Sequence, residues 1–110
     1  MKHQLVLILD HGELVDSLFK ELSINHFNAT VLSARSIKHL IEDEETEHLH
    51  FLSIAHLDQH LNSGSTTCYF IVDDDRIDEL KKLIRINTDS FRKIKGAMFT
   101  FPLHDYEGTI

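Results

Sequence analysis

Two segments of this chain carry an apolar strand pattern that runs directly into an amphipathic helix pattern. Residues 65–83 read STTCYFIVDDDRIDELKKL: β-branched and aromatic residues, an acidic turn, then apolar residues at helical spacing. Residues 4–22 show the same order, and strand patterns without a following helix occur at residues 29–34 and 96–103. The succession predicts a βαββαβ chain, the ferredoxin-like α+β sandwich.

The apolar content predicts a single small domain whose sheet needs cover. Residues 5–9, LVLIL, are uninterrupted apolar residues, the pattern of a central strand covered on both faces. With 110 residues, of which 42% are hydrophobic, residues 1–110 form one domain with little apolar surface to spare. Oligomerisation would help such a domain to bury its sheet.

Residues 35–65, between the second and third strand patterns, are too many for an ordinary connection. They contain five of the nine histidines and the acidic run EDEETE. Four of these five histidines form two pairs at metal-ligand spacing, His48 with His50 and His56 with His60. One hypothesis is a divalent metal held by these pairs, and the alternative is that they are solvated surface residues of a histidine-rich segment.

The charge distribution bears differently on nucleic acids and on small anions as possible ligands. The net charge of −7 argues against binding to nucleic acid, because such binding is driven by Lys and Arg. Six of the eleven basic residues nevertheless lie between residues 81 and 95. Arg92, Lys93 and Lys95 are therefore candidates to bind a small anion, together with Arg35 and Lys38 at the start of the long connection. The alternative is that these cations are solvated near a helix C-terminus.

Several protein classes find no support in the sequence. No apolar run reaches 18 residues, so we expect no membrane insertion, and the N-terminal apolar stretch reads as a core strand rather than a signal peptide. The single cysteine, Cys68, lies in an apolar strand and is expected to be a buried, reduced thiol in a cytoplasmic protein. No nucleophile elbow or glycine-rich phosphate loop occurs, so we expect no enzymatic activity.

The acidic run at residues 73–75 reads as a turn, with Asp75 capping the next helix.

The strand and helix segments together resemble the PII-like signalling superfamily. Residues 65–84 are similar to its third strand and second helix, and residues 95–106 (KGAMFTFPLHDY) to its last strand. Residues 5–22 are similar to its first strand and helix, and within the superfamily NHFNATVLSA at residues 25–34 looks most like the cyclic-di-AMP receptor proteins. These matches cover about two thirds of the chain and include no catalytic signature.

The resemblance implies a PII-like homotrimer with ligand clefts between subunits. Residues 35–65 correspond in position to the T-loop, which in this superfamily contacts target proteins. Residues 87–95, which lead into Gly96, correspond to the B-loop, which holds nucleotide phosphates. The implied function is a regulatory protein that binds a small effector, a nucleotide, and controls an unidentified protein target through residues 35–65. The alternative is a metal-binding trimer of the cation-tolerance type that uses the histidines of that segment.

This chain departs from the nucleotide-binding members at the residues that contact ligand. Residues 87–99 read NTDSFRKIKGAMF, with the single glycine Gly96 where the B-loop of PII proteins has several. The tyrosine that is modified in the T-loop of PII proteins is absent, since the two tyrosines are Tyr69 and Tyr106. The Gly-Gly-Phe-Leu run of the cyclic-di-AMP receptors is replaced by ARSIKHL. Neither ATP nor cyclic-di-AMP is therefore carried over to this chain as its ligand by the resemblance.

Overall fold

The structure, a computed structural model, describes residues 1–35, 37 and 64–110. Across these residues the chain alternates strands and helices in the predicted order. The elements are β1 (Lys2–Asp10), α1 (Glu13–Ile24), β2 (Thr30–Ala34), β3 (Ser65–Asp73), α2 (Ile77–Thr88) and β4 (Gly96–Pro102). This small α+β arrangement is compatible with the predicted ferredoxin-like fold.

The four strands form one antiparallel sheet in the order β2-β3-β1-β4. The apolar strand β1 is central, and its Leu7 lies opposite Cys68 on one side and Met98 on the other. Strands β2 and β4 therefore form the two edges of the sheet among the described residues.

One face of the sheet packs against both helices and forms the core. Alternate residues of β1 and β3 point to this face, as the period of a strand requires, and the helices contribute residues at helical spacing. Leu5, Leu7, Cys68, Leu18, Leu80 and Ile84 have no exposed surface. The apolar stripes predicted for the two helices are confirmed as their buried faces.

The opposite face of the sheet, here called the open face, has no described helix on it. It carries Val6 and Ile8 of β1, Leu32 of β2, Tyr69 and Ile71 of β3, and Phe99 and Phe101 of β4. Val6 is only 6% exposed because Tyr69 and Phe99 flank it on the neighbouring strands. Among the described residues, helices cover one face of β1, and the expected cover of the open face stays a prediction.

The acidic turn before α2 contacts the N-terminal strand instead of capping the helix. Helix α2 follows Arg76 as N-cap with no side-chain capping bond, so the expectation that Asp75 caps it is wrong. The neighbouring Asp73 accepts a hydrogen bond from Lys2 Nζ at 2.9 Å, and Asp74 bonds to His3 Nε2. These pairs join the end of β3 to the start of β1.

Arg76 joins the start of α2 to the turn that follows α1. Its Nη2 donates to the carbonyl of Asn25 at 2.8 Å, and its guanidinium lies 4.0 Å from the ring centroid of Phe27. The contact combines a hydrogen bond with a cation–π interaction.

No helix in the described part of the chain is long and apolar enough to span a membrane.

Candidate functional site

The described basic residues that the sequence singles out, Arg35, Arg92, Lys93 and Lys95, lie at one end of the sheet, here called the loop end. At this end β1 and β2 finish at Asp10 and Ala34, and β3 begins at Ser65 between them. The amide of Asp10 donates to the carbonyl of Lys95 at 2.9 Å, which fixes the start of β4 beside the end of β1. Arg35 and Lys95 therefore lie at the same end of the sheet.

Arg35 and Lys95 are nevertheless at opposite edges of that end. Arg35 continues edge strand β2, and Lys95 precedes edge strand β4, with β3 and β1 between. Three strand spacings of about 4.8 Å separate the two edges by roughly 14 Å. Within one subunit, the two side chains therefore start from opposite edges of the sheet.

Gly96 is required by packing between strands. A Cβ atom at this position would collide with the backbone carbonyl of Ile8 and the side chain of Leu9. The glycine allows β4 to approach β1 closely, which explains its presence without any ligand. Its predicted part in ligand binding stays a prediction.

The turn after α2 adopts a left-handed backbone without glycine. Asp89, Ser90 and Phe91 have φ angles of 52°, 54° and 63°. Positive φ is unfavourable for residues with a Cβ atom, by about 1–2 kcal/mol each. Three such residues in succession persist only where surrounding contacts hold them.

Thr88 supplies two of those contacts. Its side chain is fully buried at the end of α2, where Oγ1 donates to the carbonyl of Ile84 at 2.7 Å. The same oxygen accepts a hydrogen bond from the amide of Phe91 at 3.2 Å. The ring of Phe91 in turn packs against the core. The threonine hydroxyl therefore anchors the left-handed turn to the helix.

The backbone amides of this turn are all used within the chain. Each of the amides of residues 89–93 donates to an acceptor between Arg85 and Asp89. Nucleotide phosphates are commonly held by free amides of a glycine-rich loop. An anion at this turn would instead be bound by side chains.

Arg92 is engaged with Asp89. Its Nη2 lies 2.9 Å from Asp89 Oδ1, and its Nε donates to the Asp89 carbonyl at 3.0 Å. The hydrogen bond lowers the pKa of Asp89 and raises that of Arg92. A bound anion would compete with Asp89 for this guanidinium, whereas Lys93 and Lys95 are exposed.

The remaining predicted site residues lie outside the described part of the chain. These are Lys38 and the histidines His48, His50, His56 and His60. Within residues 1–35, 37 and 64–110, no three or more His, Cys, Asp or Glu side chains are grouped to hold a metal ion.

The expected burial of Cys68 is confirmed, and desolvation raises its pKa to about 11, so its thiol is a poor nucleophile.

The sequence did not predict a groove between the start of α1 and the β2–β3 pair. Its volume is about 370 Å³. It is lined by His11, Gly12, Glu13, Val15, Asp16, Phe19, Val31, Ser33 and Thr66. The signal in the sequence is the polar HGE turn at residues 11–13, directly after the apolar run of β1.

Comparisons with known proteins support the fold. No family model matches the chain, and no curated protein matches it. Among solved structures, the chain is similar to a functionally unknown protein from Pediococcus pentosaceus ATCC 25745, with a TM-score of 0.60 and 17% sequence identity. The similarity covers 99% of both chains. At this identity the likeness extends to the fold alone.

Proposed function

We propose that this chain is the subunit of a cytoplasmic PII-like regulatory homotrimer. A small anionic effector, a nucleotide, binds at clefts between subunits, and residues 35–65 act on a protein partner. In this proposal the protein is a sensor and not an enzyme. The observation that carries the proposal is the exposed apolar open face of the sheet.

The open face favours self-association. An antiparallel sheet with one solvated face normally places polar residues there. Here Leu32, Phe99 and Phe101 are 48%, 49% and 41% exposed. Several large apolar side chains exposed on one face of a small domain are typical of an interaction site. A second copy of the chain is the occupant that also relieves the shortage of core in a domain of this length.

Assembly through this face supports an effector site between subunits. The cations of one chain lie at two edges of the loop end, Arg35 beside β2 and Lys93 with Lys95 before β4. Neighbouring subunits that pack their open faces together would bring the β4 edge of one towards the β2 edge of the next. Such a cleft would collect positive charge in an otherwise acidic protein, which favours a small anion.

The same geometry links the effector to residues 35–65. This segment leaves the sheet after Ala34 and returns at Ser65, and both positions lie at the loop end. A ligand that contacts the start of the segment in one arrangement and not in another favours the first arrangement. This population shift would change the affinity for the protein partner.

The assembly is tested by measuring the molar mass of the full chain in solution by light scattering. We expect three times the subunit mass of 12.7 kDa for the natural chain. Phe99→Asp should give folded monomer, because the side chain is half exposed within one subunit. Ile86→Asp is the matched control, because Ile86 is 63% exposed on α2, away from the open face. A natural chain that is monomeric, or a Phe99→Asp variant that stays trimeric, would contradict the proposal.

The effector site is tested by thermal unfolding with ATP, ADP, AMP, cyclic-AMP and cyclic-di-AMP. A ligand at 100 times its Kd adds about 2.7 kcal/mol to the free energy of unfolding. We expect one nucleotide to stabilise the protein and the effect to disappear in a Lys93→Ala/Lys95→Ala variant. Lys20→Ala, an exposed lysine on α1, is the control. Stabilisation that survives in the double variant would place the nucleotide elsewhere, and no response to any nucleotide would reject this class of effector.

A further inference from the structure

We propose that the groove between α1 and the β2–β3 pair binds a small organic cation with an apolar body. The residues that line the groove include the exposed acids Glu13 and Asp16 and the apolar residues Val15, Phe19 and Val31. It lies on the helix side of the sheet, and the open face lies on the other side. The site is therefore separate from the surface that carries the proposed assembly.

The groove exists because the helix layer leaves β2 partly uncovered. Val31 lies opposite Cys68 in the sheet and shares its face, yet Cys68 has no exposed surface and Val31 is 48% exposed. The core therefore stops at β3, and the edge strand extends beyond it. The resulting volume of about 370 Å³ is in the range of small-molecule sites.

The charge of the groove selects a cation. Glu13 and Asp16 occupy positions i and i+3 in the first turn of α1, so they are neighbours on the helix surface. The amino end of a helix contributes roughly half a positive charge, which two carboxylates outweigh. The lining contains no Lys or Arg, and His11 is the one lining residue whose side chain can carry positive charge. The protein as a whole adds to the negative potential, with a net charge of −7.

The lining distinguishes an organic ammonium from a metal ion. The described residues provide no group of three or more His, Cys, Asp or Glu side chains that would coordinate an ion. A metal ion would also make no use of the apolar lining, where Phe19 and Val31 offer a surface to methylene or aromatic groups. The hydroxyls of Ser33 and Thr66 add acceptors for ammonium hydrogens. A primary ammonium attached to an apolar body fits each part of this lining.

The proposal is tested by amide NMR spectra of the full chain titrated with phenethylammonium. 2-Phenylethanol and 3-phenylpropanoate serve as neutral and anionic probes of similar shape. We expect saturable shifts at Gly12, Asp16, Ser33 and Thr66. The ammonium should bind at least about tenfold more tightly than the alcohol, a difference of about 1.4 kcal/mol. Equal affinity of ammonium and alcohol, shifts that map elsewhere, or no saturable shift would overturn the proposal.

Two variants test separately whether ammonium binding depends on the charge of the carboxylates and on the shape of the groove. Glu13→Gln/Asp16→Asn should lower the affinity for the ammonium to that for the alcohol, and Asp78→Asn/Glu79→Gln is the matched control in the first turn of α2. Val31→Phe fills the groove at a half-exposed position and should weaken both probes while the carboxylates remain. The dispersion of the amide spectrum reports the fold of each variant. Undiminished ammonium binding in either folded groove variant would overturn the assignment.

Discussion

Replacement of Thr88 by valine should loosen the turn that carries the basic residues Arg92, Lys93 and Lys95. Valine has nearly the shape of threonine, so Thr88→Val removes the hydroxyl and leaves no cavity. The hydroxyl donates to Ile84 and accepts from the amide of Phe91 in a fully buried position. The variant therefore deprives a partly buried amide of its acceptor, in a turn whose backbone is already strained.

The magnitude follows from the unsatisfied amide. A buried donor without an acceptor costs about 1–3 kcal/mol, and we expect a loss of about 2 kcal/mol for Thr88→Val. For a domain of this size that lowers Tm by roughly 8 °C. Thr88→Ser keeps the hydroxyl and removes one methyl group, so its cost should be about 1 kcal/mol. The order of stability is then natural chain, Thr88→Ser, Thr88→Val.

Urea unfolding measures the two free energies, and hydrogen exchange identifies their cause. The amide of Phe91 should lose protection in Thr88→Val by more than the fall in global stability, and in Thr88→Ser by no more than that fall. If Thr88→Val is as stable as the natural chain, or if Thr88→Ser is the less stable variant, the hydroxyl does not hold the turn. Packing of the threonine methyl would then be the dominant contribution of this side chain.

Two further predictions concern contacts that join distant parts of the chain. The hydrogen bond from Lys2 lowers the pKa of Asp73, so the pair adds stability above about pH 4 that is lost as the pH falls through the lowered pKa. The drop in urea midpoint between pH 7 and pH 3 should therefore shrink in Lys2→Met, and an unchanged drop would exclude this pair as a cause. Arg76→Lys should lower the free energy of unfolding by about 1–2 kcal/mol, because lysine does not reproduce the stacking on Phe27 together with the bond to the α1–β2 turn. Arg85→Lys, an exposed control on α2, should leave urea unfolding unchanged, and an equal loss in both variants would contradict the role of Arg76.

The periodicity of the sequence predicts the order of the elements well. The apolar runs at residues 5–9 and 66–72 lie within the observed β1 and β3, and the helical stripes lie within α1 and α2. The ends of elements are predicted less well. Helix α2 continues to Thr88, into the segment 87–95 that the resemblance assigns to the B-loop, because a buried hydroxyl and a left-handed turn end the helix there. Asp75 has the side chain of a helix cap, but the helix begins only after Arg76.

The candidate site depends on how residues are placed in three dimensions, which the periodicity of the sequence does not predict. Arg35 and Lys95 are both basic and both adjoin strands, and only the strand order shows that they occupy opposite edges. The pairing of Arg92 with Asp89 depends on positive φ angles at residues that are not glycine. The groove depends on how far the helix layer extends over the sheet, which leaves Val31 uncovered beside a buried Cys68.

The apolar run of β1 bears on the proposed assembly as well as on the fold. A continuous apolar strand predicts cover on both faces, yet the described helices cover one. On the other face Val6 is buried by Tyr69 and Phe99 on the adjacent strands, and this leaves Phe99 itself half exposed. The two side chains that cover Val6 are therefore themselves partly exposed. A second copy of the same face would complete the cover, and Phe99→Asp tests that step because it places a charge where the copies would meet and leaves the helix-side core unchanged.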